Sequence, residues 1–180
     1  MIKKKLINNN YALWFYPNNL KFKPVSEQEK KWSESLSNYR KKEYLFSRGY
    51  LRHSLASLFG IDNMEIPLFT PPGKAPILNE GLGFISLSHC DNGLAIAWSS
   101  EKIGVDIEKL NRKFNYILLA KRFFFKEEKN KIFNLDNDCS RQLALSMWVL
   151  KEAAIKWEEG KIFSDLENWE TKDGLVRNTL

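Results

Sequence analysis

The sequence predicts an α+β fold made of two similar α/β halves, residues 1–102 and residues 103–180. Three observations carry this. Strand-type alternation and long helical stretches occur on both sides of residue 100. The strand-like stretches after Gly83 follow one another at hairpin spacing, which favours antiparallel pairing. At 180 residues, with 43% hydrophobic and 13% aromatic side chains, the chain has material for a sizeable core and does not read as disordered.

Taken in order, Tyr11-Ala12-Leu13-Trp14-Phe15-Tyr16 reads as a first strand, stopped by Pro17. Ser26-Glu27-Gln28-Glu29 matches a capping box at a helix start. After a break near Asn38, a second helix is expected over 39–59, with Gly60 as its C-terminal cap. Leu45, Leu51, Leu55 and Leu58 supply much of its apolar face, and Arg48 and Arg52 share another face. Residues 67–73 are turn-rich, with Lys74 just after Gly73. Residues 83–89 read as a strand ending in the polar turn Ser88-His89-Cys90-Asp91-Asn92-Gly93. Residues 94–98 and 103–108 read as two further strands, joined by Ser99-Ser100-Glu101-Lys102. Helices are expected over 116–124, 126–133 and 141–159, and a strand and turn over 169–175.

Charged side chains in two of these elements draw attention. In Gly104-Val105-Asp106-Ile107-Glu108, alternation puts Asp106 and Glu108 on one face of a strand. Two like charges so close need something positive nearby, such as a divalent metal, unless the face is simply solvated. The helix over 141–159 is apolar on most of its circumference and should be buried. It nevertheless carries Lys151, Glu152 and Lys156, with Trp148, Glu152 and Lys156 aligned along one edge. A buried acid and base need a partner or a task.

Composition narrows the setting. Lys and Arg number 28 against 22 Asp and Glu, with most of the excess in the first hundred residues. Such a surface suits an anionic partner, whether nucleic acid, a phosphorylated cofactor or an acidic protein. No nucleic-acid motif or concentrated basic stretch supports the first of these. The start, Met1 to Ile7, is basic but lacks the apolar run of a secretory signal, and no stretch is long and apolar enough to cross a bilayer. Cys90 and Cys139 are far apart, which argues against a disulfide framework or a zinc site. A reduced, cytoplasmic setting without membrane association is expected.

Gly104-Val105-Asp106-Ile107-Glu108, followed some forty residues later by Trp148-Val149-Leu150-Lys151-Glu152-Ala153-Ala154-Ile155-Lys156, resembles the paired signature of the Sfp-type 4′-phosphopantetheinyl transferases. Ile85-Ser86-Leu87-Ser88-His89, Gly73-Lys74-Ala75-Pro76 and Ala120-Lys121-Arg122-Phe123-Phe124 are similar to further features of that family. The resemblance implies an active site between the two halves. It also implies a monomeric holo-[acyl-carrier-protein] synthase-type enzyme. Such an enzyme moves the phosphopantetheine arm of coenzyme A to a serine of an acyl or peptidyl carrier protein, releasing 3′,5′-adenosine bisphosphate.

By the same resemblance Asp106, Glu108 and Glu152 would bind Mg²⁺. Glu152 or Glu108 would be the general base, and Lys156 would stabilise developing charge. Arg48, Lys74, Ser88 and His89 would hold coenzyme A. Lys151, at a different angle on its helix, is left without a firm role. Only Lys161 to Leu180 follow the Lys-Glu helix, so the second half is expected to be abbreviated. The alternative is a coenzyme A- or carrier-binding member without turnover.

Overall fold

Burial alternates along Tyr11–Pro17 (β2), with Ala12, Trp14 and Tyr16 inward and Leu13 and Phe15 outward. That is the pattern of a strand with one covered face. The computed structural model describes residues 5, 6, 10–79 and 81–179, with the backbone alone at 5, 6, 162 and 163. Most of the basic opening stretch, which bears on the expected absence of a secretory signal, lies outside the described residues. The chain divides into two compact units, Met1–Leu87 with Asn92–Ile103, and Ser88–Asp91 with Gly104–Leu180. The architecture is mixed α and β, with small sheets and packed helices.

In the first unit, β2 pairs antiparallel with Lys5–Leu6 (β1) on one side. On the other side lies Gly93–Ser99 (β6), in register from Tyr11↔Ser99 to Pro17↔Gly93. Phe84–Cys90 (β5) completes a sheet of order β1-β2-β6-β5 and runs on into the second unit. Helix Glu27–Ser33 (α1) opens with the expected capping box, Ser26 and Glu29 satisfying each other's orphan groups. Helix Asn38–Phe59 (α2) ends at Gly60, whose φ of 72° is the left-handed cap that glycine adopts without strain. Phe46, Tyr50, Leu51 and Leu55 of α2 pack with Trp14, Tyr16, Leu94 and Ile96 into one core. Leu68–Phe69 (β3) and Ile77–Leu78 (β4) form a small separate hairpin.

Helices Tyr116–Phe123 (α3), Lys126–Phe133 (α4) and Asn137–Glu158 (α5) build the second unit. They are followed by Ile162–Asp165 (α6), a short 3₁₀ turn, and the hairpin Trp169–Lys172 (β7) with Leu175–Asn178 (β8). Its core joins Phe123, Phe124 and Ile132 to Met147, Trp148 and Ile155 of α5 and to Leu166 and Trp169. Among the described residues no helix is long and apolar enough to cross a membrane.

The strand expected over 103–108 does not form. β6 pairs with β2 and β5, and residues 104–108 belong to no sheet. Gly104 gives the reason. A Cβ there would run into the carbonyl oxygen of Ala153 and stand 2.7 Å from the Trp157 amide nitrogen. The segment therefore lies against the backbone of α5, and Val105 through Glu108 are all partly buried instead of alternating.

The same buried device is built in each unit. In the first, Glu29 accepts hydrogen bonds from the Ser26 amide (2.8 Å), Arg52 Nε on α2 (2.7 Å) and Thr70 Oγ1 (3.0 Å). In the second, Glu128 accepts from the Phe125 amide (2.7 Å), Lys151 Nζ on α5 (2.8 Å) and both the amide and hydroxyl of Thr171 (2.7 and 2.5 Å). Acid and base are 23 residues apart in both. Each device ties a short helix to the long one after it and to a threonine further along the chain.

Candidate active site

Asp106 is the centre of the polar cluster. Its side chain is 3% exposed, and its Oδ1 accepts hydrogen bonds from Ser88 Oγ and Lys156 Nζ, each at 2.6 Å. Three stretches meet here: the end of β5, the segment behind Gly104, and one edge of α5. The helix spacing of Glu152 and Lys156 puts both on that edge. Burial pushes the Glu152 carboxyl up to about 7, helped by the Asp106 charge and opposed by Lys156 and Arg112. A carboxyl that titrates near neutrality beside a second carboxylate is suited to taking up and releasing a proton.

The donor set also suits a small hard cation. Asp106 Oδ2 is buried and has no hydrogen-bond partner. An orphaned buried carboxylate oxygen is costly, and a cation lying against it would remove that cost and release the Glu152 proton. Among the described residues no group of three or more His, Cys, Asp or Glu is arranged to hold a metal. Glu108 stands apart because Arg112 Nη1 donates directly to its Oε1. Two carboxylates are nonetheless enough for Mg²⁺, which normally keeps water and substrate phosphate as its other ligands.

The expected coenzyme A residues differ in setting. Arg48 is 6% exposed, lies 4.8 Å from the Tyr44 ring centre, and makes only long contacts to Thr70 O (3.5 Å) and Ser47 Oγ (3.3 Å). No described carboxylate pairs with it, and burial pulls its proton affinity down. A buried guanidinium in that state calls for an anion. Lys74 is exposed, after Gly73 with φ 75°. His89 is exposed, and the buried Ser88 spends its hydroxyl on Asp106.

Residues 102–178 match the family model of the 4′-phosphopantetheinyl transferase superfamily. Over those residues the chain is similar to that superfamily. It is 31% identical to the 4′-phosphopantetheinyl transferase Sfp of Bacillus subtilis (strain 168) over 112 residues, which are 62% of this chain and 49% of Sfp. It is 36% identical to the 4′-phosphopantetheinyl transferase ffp of Bacillus subtilis over 89 residues, 49% of this chain and 38% of that protein. With the 4′-phosphopantetheinyl transferase AcpT of Escherichia coli (strain K12) it shares 27% over 122 residues, 67% of this chain and 60% of AcpT. The chain thus spans about half the length of the curated relatives it matches.

Two residues of the second unit carry no clear signal in the sequence. Glu128 is indistinguishable there from an exposed helix acid, although its place three residues after Phe125, just inside a helix start, is that of a capping glutamate. Arg112 sits in a turn closed by its own amide on Lys109 O (2.8 Å), and only the i, i+4 spacing from Glu108 hints at the pair. Lys151 becomes legible once Glu128 is known, since the two are among the most deeply buried charges in the chain.

Proposed function

We propose that this chain transfers the 4′-phosphopantetheine arm of coenzyme A to a serine of an acyl or peptidyl carrier protein, releasing 3′,5′-adenosine bisphosphate. The observation that carries the reading is Asp106, held by Ser88 and Lys156 with Oδ2 left bare, next to a Glu152 whose carboxyl titrates at about 7. Similarity to named 4′-phosphopantetheinyl transferases supports the reaction class, and the side chains suggest the chemistry.

The serine oxygen attacks the phosphorus that bears pantetheine, and the bond to the departing adenosine bisphosphate breaks. Glu152 takes the serine proton from its place on the edge of α5. Lys156, on the same edge of α5, stabilises charge on the leaving oxygens. Asp106, Glu152 and Glu108 would hold Mg²⁺, which when bound would neutralise the diphosphate. Arg48 is buried and has no directly bonded carboxylate among the described residues, which supports it as a phosphate-binding residue. Lys74, Ser88 and His89 complete the proposed coenzyme A contacts. The enzyme acts as a cytoplasmic monomer in this reading.

The test is incubation with coenzyme A, Mg²⁺ and an apo carrier protein, followed by intact-mass measurement of the carrier. A gain of one phosphopantetheine per carrier is expected. Coenzyme A binding with no mass gain would make the chain a non-catalytic binding member instead.

A further inference from the structure

Arg112 is a described cation that bonds Glu108 and acts on Glu152, and the proposed reaction gives it no step. Arg112 lies 44% exposed in a turn between residues 104–108 and α3, with its guanidinium on Glu108 Oε1 and 6.0 Å from the Phe114 ring centre. Glu108 is much less exposed, at 16%, so the pair is an accessible cation covering a largely shielded acid. Arg112 is also one of the charges that act on Glu152. Its other side lines a cavity of about 270 Å³ with Phe114, Leu118, Arg122 and Trp148.

We propose that Arg112 is a positioning residue that acts as an exchangeable counter-ion: it neutralises Glu108 while the carboxylate cluster is empty and yields Glu108 when a divalent cation binds. This rests on the reading of the cluster as a cation site. The physical argument is charge balance. Arg112 is bonded to Glu108 and its charge also reaches Glu152, whereas Lys156 is hydrogen-bonded to Asp106 and not to Glu108. Without Arg112, Glu108 would add an uncompensated charge to a partly buried cluster. With Arg112 fixed on it, Glu108 would be unavailable as a ligand. A half-exposed arginine in a turn meets both demands, since an exposed pair of this kind is weak enough to open.

The proposal is tested by titrating the full chain with Mg²⁺ in calorimetry, without coenzyme A, and comparing Arg112→Ala with Arg122→Gln. Arg122→Gln removes the same unit of charge from the same cavity, but the Arg122 guanidinium lies over the Phe123 ring (4.8 Å) and holds no described carboxylate. Arg112→Ala should bind Mg²⁺ about two- to fivefold more tightly, the factor set by the loss of one exposed ion pair. Arg122→Gln should leave the affinity unchanged. In parallel, the Arg112 Nε–Hε resonance, identified by its loss in Arg112→Lys, should shift on Mg²⁺ addition. Equal affinity in Arg112→Ala and the unaltered chain, or an Arg112 resonance that ignores Mg²⁺, would overturn the proposal while leaving the cation site in place. No Mg²⁺ binding by any variant would remove both.

Discussion

At the scale of single residues, the cluster is arranged at the expense of stability. The folded Glu152 carboxyl titrates at about 7, against an ordinary value of 4.5. Between those two values the folded chain holds a proton that the unfolded chain has released, so this group's contribution to stability falls as pH rises through the window. Glu152→Gln should remove that slope. It should also raise the melting temperature of the metal-free protein at pH 7.5 by roughly 2–4 °C, equivalent to about 1 kcal/mol once the shift is discounted for partial exposure. Transfer to a carrier should be lost in the same variant. A melting temperature that is unchanged or lower would show that the acid is not strained. Lys151 behaves in the opposite way. Its pairing with Glu128 has no exposure to screen it, and Lys151→Met should destabilise by about 3–5 kcal/mol by leaving a buried acid unpaired. Adding Glu128→Gln should recover part of that loss in chemical denaturation; strictly additive losses would mean that the pair is not coupled. The sequence disclosed the acid and base on α5 but not which had a partner. Spacing places a residue on its own element and says nothing of an acid 23 positions away.

At the scale of elements, helices were the most legible. α4 was expected over the residues it occupies, α2 and α3 within a residue of their ends, and α5 begins four residues earlier than its apolar stripe because Asp136 caps it through the amides of Asp138 and Cys139. The capping box at Ser26 and the cap at Gly60 were also legible, because both depend on local chemistry. The path of residues 104–108 was hidden for a corresponding reason. Their alternation fits a strand, but what decides their path is a contact with a helix fifty residues later, through an atom glycine lacks. Gly104→Ala should consequently be severe, since the obstructing groups are backbone and cannot rotate aside. Overpacking of this sort costs about 1–3 kcal/mol. The displaced segment should lose the Asp106–Lys156 contact, so carrier modification should fall by far more than the stability loss explains. Full activity in a folded Gly104→Ala would show that the close approach is dispensable.

For the whole molecule, each unit has its own core and its own buried ion pair. Arg52→Met should therefore reduce amide protection across the residues packed with Trp14, Tyr50 and Ile96, leaving those around Ile132, Met147 and Ile155 protected. Uniform loss across both cores in hydrogen exchange would show one cooperative block. Glu29 adds a pH dependence. Burial alone would raise its proton affinity, but Arg52 and hydrogen bonds from Ser26 and Thr70 outweigh that and hold the carboxyl below its usual range. Its contribution is present above the ordinary glutamate value and lost as pH falls through the lowered one. The general α+β architecture was readable from patterning alone. The matching devices at Glu29 and Glu128 were not, since they use Arg in one unit and Lys in the other, and leave no repeat in the sequence.

Glu128 also sets a schedule for synthesis. Its two hydrogen bonds from Thr171 reach forward 43 residues. At bacterial-type elongation speeds that interval is roughly 2–9 s, during which the acid has been made and its last partners have not. The helix start at Phe125 can form at once, and Lys151 arrives midway, but neither charge can be sealed from water until β7 leaves the ribosome. The second unit therefore closes late, and a translational pause before residue 171 would hold an ionised pair half-assembled in a nascent chain.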